Sequence, residues 1–98
     1  MEGDAAALQR ALHMLDQLGS IWTKETEPVH FAYAAINKVG ARRQLAAITG
    51  NYRHLQAAVA ELYHALPLFS ADRNPVLNAE LLHVLGNAES DLGSKSSR

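Results

Sequence analysis

The stretch Gly50-Asn51-Tyr52-Arg53-His54-Leu55-Gln56-Ala57-Ala58-Val59-Ala60-Glu61-Leu62-Tyr63-His64-Ala65-Leu66-Pro67 carries the clearest periodicity in the chain. Tyr52, Leu55, Val59, Leu62 and Leu66 recur at intervals of three, four, three and four, which places them along one side of an α-helix. Gly50-Asn51 ahead of them is a turn or cap signal. Pro67 removes a backbone donor and clashes with the preceding turn, so the helix is expected to end near Leu66. Such a heptad-type seam packs lengthwise against another helix. Two heptads are too few for a free-standing coiled coil, so the seam belongs to an internal or dimeric bundle.

Outward from this helix the remaining pattern is also helical. On the N-terminal side, Asp4 is a capping residue for a first helix whose Leu8, Ala11, Leu12, Leu15 and Leu18 share one face, with Gly19 as its stop. Ile21 and Trp22 form either a last turn or a loop packing back on the core. Thr23 to Glu27 read as a polar linker, and Pro28 suits the first turn of a second helix. Val29 to Thr49 favour helix, with Phe31, Ala35, Ile36, Val39, Leu45 and Ile48 as the larger apolar members. Their pattern is broad and filled with alanine, and Gly40 leaves open whether this is one helix or two. On the C-terminal side, Leu68 and Phe69 are expected to tuck into the core. Asn74-Pro75 then start a last helix, a capping side chain followed by proline. Its inner face is Leu77, Leu81, Val84, Leu85, Ala88 and Leu92, Gly93 closes it, and Ser94 to Arg98 read as a disordered polar tail. No segment alternates as a strand does.

The expected fold is therefore all-α, a small antiparallel bundle of three to five helices over residues 1–93. Ninety-eight residues are enough for one domain. Only 19% of the residues are charged, below the usual quarter, which predicts weakly polar surface of the kind that marks interfaces. Alanine on a helix surface is equally a plain helix former. A formal net charge of -1 supplies no basic field to gather nucleic acid or anionic lipid. The absence of cysteine excludes disulfides, thiolate metal sites and cysteine nucleophiles. Met1-Glu2-Gly3-Asp4 lacks the basic-then-apolar pattern of a signal peptide, and no apolar run reaches the roughly 20 residues of a membrane span. A cytoplasmic or nuclear protein is expected, neither secreted nor membrane-spanning.

Chemistry-bearing constellations are sparse. His54 and His64 lie ten residues apart on one helix, too far to share a metal ion, and His13, His30 and His83 lie on others. None of the five has lysine three residues on, the pattern of a phosphorelay histidine. No glycine-rich phosphate loop, Gly-x-Ser-x-Gly or His-Glu-x-x-His is present. No catalytic, cofactor-binding or metal-ligating residue is assigned, and an enzyme is not expected.

Residues 42–59 resemble the helix-turn-helix of bacterial regulators. Ala46 matches the small residue between the two helices, Gly50 the turn glycine, and Val59 a core position of the second helix. The resemblance implies that Arg53, His54 and Gln56 lie near base edges and Arg42 and Arg43 near phosphates. Asn51 and Gln56 depart from it, since both positions are usually apolar. A vaguer similarity to tetratricopeptide-type hairpins runs through Gly50-Asn51-Tyr52, Tyr63-His64-Ala65-Leu66 and Asn74-Pro75, with slipped spacing and no second copy. Of the scarce aromatics Trp22, Phe31, Tyr33 and Phe69, Tyr33 stands apart because it lies off the Val29–Ala32–Ile36 stripe.

The expected function is a non-catalytic interaction or assembly module whose partner is another protein or a second copy. Its candidate interface is Tyr33, Tyr52, Leu55, Ala57, Val59, Leu62 and Tyr63. The alternative is a DNA-binding regulator using residues 42–59.

Overall fold

A computed structural model describes residues 2–96, with side chains described for residues 5–93. Four α-helices account for it: α1 (Glu2–Leu18), α2 (Pro28–Thr49), α3 (Arg53–Ala65) and α4 (Pro75–Ser96). No strand occurs among the described residues. The chain is all-α, a small helical bundle.

The connections follow local chemistry. Helix α1 begins at Glu2, two residues before the cap expected at Asp4, because helix nucleated in the alanine run extends back through Gly3 and Asp4 at little cost. It ends at Leu18 as expected, but Gly19 does not take up the left-handed conformation. The Gly19 amide instead bonds the Leu15 carbonyl at 3.1 Å, and the Trp22 amide bonds that of Leu18 at 2.8 Å. Ile21 is exposed, while half-buried Trp22 sets its ring 4.7 Å from that of His30. In the linker the Thr23 and Thr26 hydroxyls bond each other at 2.7 Å, and Pro28 opens α2.

Helix α2 runs unbroken through Gly40, which answers the question its sequence left open. Glycine inside a helix costs about 1 kcal/mol relative to alanine. Packing on both sides of α2 offsets that. Gly50 closes the helix in the left-handed region, at φ 76°, with its amide on the Ala46 carbonyl at 2.8 Å. Only Gly50 among the described residues has positive φ, and a side chain there would strain the turn. Pro67 does end α3, through a single 3-10 turn at Leu66–Leu68.

Phe69 is buried as expected, but Leu68 is not: it remains 42% exposed. The two are neighbours in the chain, and the tight turn sends their side chains to opposite sides. The side-chain amide of Asn78 donates to the Phe69 carbonyl at 2.7 Å and pins this loop to α4. Pro75 opens α4 as expected. Asn74 contributes its main-chain carbonyl, which accepts the main-chain amide of Asn78 at 2.8 Å, rather than a capping side chain. Gly93 does not close α4, which continues through Ser94 and Lys95 to Ser96, so that part of the expected tail is helical. Nothing in the preceding turn forces a stop at an interior glycine. Ser97 and Arg98 lie outside the described residues.

The main core lies among α2, α3 and α4. Leu55, Val59 and Leu62 of α3 meet Ala32, Ala35, Val39 and Ala46 of α2 and Leu77, Leu81, Leu85 and Ala88 of α4, with Phe69 at one end. Alanine on α2 lets the neighbouring helices approach closely, and leucine from the other two fills the space. A second, smaller cluster joins Leu12 of α1 to Ala41 and Leu45 of α2, with Ala5 and Leu8 at its margin. Ala11, expected on the inner face of α1, is exposed because α2 is the main neighbour of this helix and reaches only the Leu8–Leu12 side. No polar side chain is buried among the described residues.

Candidate functional site

The residues expected to form an interface fall into two groups. Leu55, Val59 and Leu62 are spent on the chain's own core, with 0%, 7% and 0% of their surface exposed. The seam that made α3 legible is therefore internal, and a partner cannot reach it in the folded chain. Tyr52 is half-buried against the same core. Tyr33, Ala57 and Tyr63 remain at the surface. Tyr63 donates its hydroxyl proton to Glu89 and so ties α3 to α4. That hydrogen bond raises the phenol above its ordinary range, with desolvation and the Glu89 charge acting in the same direction.

The residues of the helix-turn-helix resemblance are also divided. Arg43 is held by Asp91 of α4, with Nε 2.6 Å from Oδ2 and Nη2 3.3 Å from Oδ1. This hydrogen-bonded pair raises Arg43 above its ordinary value, with partial burial opposing and the Asp91 charge assisting. Arg53, His54 and Gln56 are exposed, and Arg42 is half-buried.

Two grooves flank α1. One lies between α1, α2 and α4, has a volume of about 410 Å³, and is lined by Leu8, Ile36, Gly40, Ala41, Val84 and Asn87 together with Asn37, Gln44 and the paired Arg43. Ile36 and Gly40 in its floor continue a stripe of α2, Val29, Tyr33, Ile36 and Gly40, spaced four, three and four, whose first two members lie beyond the groove. Val29 and Tyr33 are 45% and 42% exposed. The position a Cβ would take on Gly40 has open space around it, so the floor is recessed there. The sequence pattern places Val29 and Ile36 in a stripe without Tyr33 and does not mark Gly40 or Val84 as surface; the four-three-four spacing is the signal that finds Tyr33 and Gly40, and no comparable spacing finds Val84.

The other groove, between α1 and α3, is polar. Lys38 of α2 sits in it with Nζ 3.3 Å from Asp16 of α1 and 3.1 Å from Glu61 of α3, and so links three helices. Beyond that triad, toward the α2–α3 turn, is a cleft of about 370 Å³ lined by Gln9, Arg42, Thr49, Asn51 and His54 over Leu45 and Ala46. No three His, Asp or Glu side chains converge as metal ligands would, among the described residues. His30 pairs with Glu27 at 3.2 Å and His83 with Asn87 at 3.2 Å. No helix among the described residues is long and apolar enough to cross a membrane.

Comparison with protein-family models, with curated proteins and with solved structures gives no match.

Proposed function

We propose that the chain is a non-catalytic interaction module that docks an apolar helix in the groove between α1 and α4, the first occupant being a second copy of itself. The observation that carries this is the groove lined by Leu8, Ile36, Gly40 and Val84, together with exposed Val29 and Tyr33, which extend the same stripe of α2 toward its N-terminus. The second copy as occupant rests on the remaining apolar surface of α1. Leu15 and Leu18 are half-buried and Met14 is 62% exposed, so α1 carries apolar surface that its own chain leaves open. Two copies laying α1 into each other's groove would bury both surfaces in one isologous contact. The scaffold in this reading has sequential helices running antiparallel. Supporting that are the short α2–α3 turn and the pairing of Lys38 with Glu61 near the middle of both helices.

The test is absolute mass by light scattering over a range of concentrations. A species of twice the 10.7 kDa chain mass is expected, with monomer for Tyr33→Glu, whose side chain lies outside the core and whose helical circular dichroism should match the parent. A monomer at every concentration removes the second copy as occupant. A dimer that survives Tyr33→Glu removes the groove.

A further inference from the structure

The three cations in the middle of α2 are treated unequally. Lys38 is shared by Asp16 and Glu61, and Arg43 is held in a two-bond pair by Asp91. Arg42, beside Arg43 in the chain, is half-buried and makes no hydrogen bond or ion pair with a described residue. A guanidinium that has lost part of its water shell without gaining a partner is held below its bonding capacity, since it offers five donors.

The cleft around Arg42 is built of donors. His54 of α3 lines it and brings a ring nitrogen that can donate. Asn51, from the turn, has its Oδ1 occupied by the Arg53 amide at 3.0 Å, which leaves its Nδ2 as the free end. Gln9 of α1 supplies a second amide without a partner among the described residues. Thr49 is not a donor here, because its hydroxyl already donates to the Leu45 carbonyl at 2.9 Å. Among the described residues no acidic side chain lines this cleft; Arg42 and His54 also border the adjoining cavity, where Asp16 and Glu61 are engaged by Lys38.

We propose that this cleft binds a phosphate group, with Arg42 as the charged anchor and His54, Asn51 and Gln9 as further hydrogen-bond donors. Four donors from four chain segments surround one space. That arrangement suits a tetrahedral acceptor with three or four oxygens better than a planar carboxylate with two. The site lies on the α3 flank of α1, away from the apolar groove, and does not depend on self-association.

The whole chain is titrated with inorganic phosphate at constant ionic strength and followed by amide and guanidinium NMR, with chloride as the control anion. Saturable shifts are expected at Gln9, Arg42, Asn51 and His54. Arg42→Gln should weaken binding at least tenfold, the scale of one charge-assisted hydrogen bond. His54→Gln should weaken it a few-fold, and Arg53→Gln, which replaces an exposed neighbour, should leave it unchanged. Tighter binding of O-phosphoserine would assign the site to an attached phosphate, and equal binding to the free anion. Shifts that never saturate, acetate binding as tightly as phosphate, or an Arg42→Gln variant that stays folded with unchanged affinity would each overturn the proposal.

Discussion

On its α3 and α4 side, α2 sets Ala32, Ala35, Val39 and Ala46 against leucines and alanines from two helices and against Phe69. On its α1 side it offers Ala41 and Leu45 to Leu12, with Leu8 and Ala5 at the edge. The first contact encloses its side chains on all sides; the second is a strip with a groove along each flank. One helix is thus shared by a closed core and an open seat. Burial stabilises roughly in proportion to apolar area removed from water, about 25 cal/mol per Å². The closed core should therefore hold the fold, and α1 should be the part that leaves first. Both grooves exist because α1 rests chiefly on one neighbour and covers little of it.

Leu62→Ala should be the most damaging substitution. Leu62 is fully buried where α2, α3 and α4 meet, and truncation there is expected to cost about 2–5 kcal/mol. Against a total stability of about 5–15 kcal/mol, that is a large share. Chemical denaturation should show one transition at lower denaturant, with all helices lost together.

Leu12→Ala should act more locally. Leu12 is only 3% exposed, but its pocket opens on both flanks, so the vacated space can collapse or admit water. A loss near the low end of the leucine-to-alanine range, about 2 kcal/mol, is expected. Hydrogen exchange should then quicken across α1 while the amides of α3 and α4 keep their protection. If Leu12→Ala instead speeds exchange everywhere, as Leu62→Ala should, the two packings form one cooperative unit and the contrast fails.

The closed core was legible and the open seat was not. Leu55, Val59 and Leu62, and likewise Leu77, Leu81 and Leu85, stand out because each helix has one dominant apolar stripe, and that stripe is the one buried. Helix α2 has apolar residues around most of its circumference. Periodicity cannot say which of its stripes a neighbour will cover, because that depends on where α1 and α4 come to rest. Hence Val29 and Tyr33 remain open while Ala32 and Val39 are sealed. For the same reason the α3 seam read equally well as an interface and as a core. Polar ties were invisible for another reason. Arg43 and Asp91 are 48 residues apart, and Lys38 and Glu61 are 23 apart, separations at which sequence carries no pairing signal. That Arg42 has no partner among the described residues follows only from seeing where those acids go.

The smallest effect gives the most local readout. Tyr63 and Glu89 clamp α3 to α4 on the closed side of the molecule, away from α1. The hydrogen bond and the carboxylate charge favour the neutral phenol, so Tyr63 titrates above its ordinary range in the folded chain. A folded value raised above the unfolded one means that the clamp stabilises the fold below about pH 10. That contribution is lost as the pH rises through the folded value. Glu89→Gln should bring the Tyr63 midpoint back down, as followed by NMR of its ring, with helix content unchanged. The same midpoint separates the two packings. Leu12→Ala should leave it in place, because α1 takes no part in the clamp. Leu62 is the residue before Tyr63, in the wall between α3 and α4, so Leu62→Ala should lower the midpoint even where the chain stays folded at neutral pH. A midpoint that moves equally in both variants would mean that disturbance at the α1 seat passes through α2 into the α3–α4 pair.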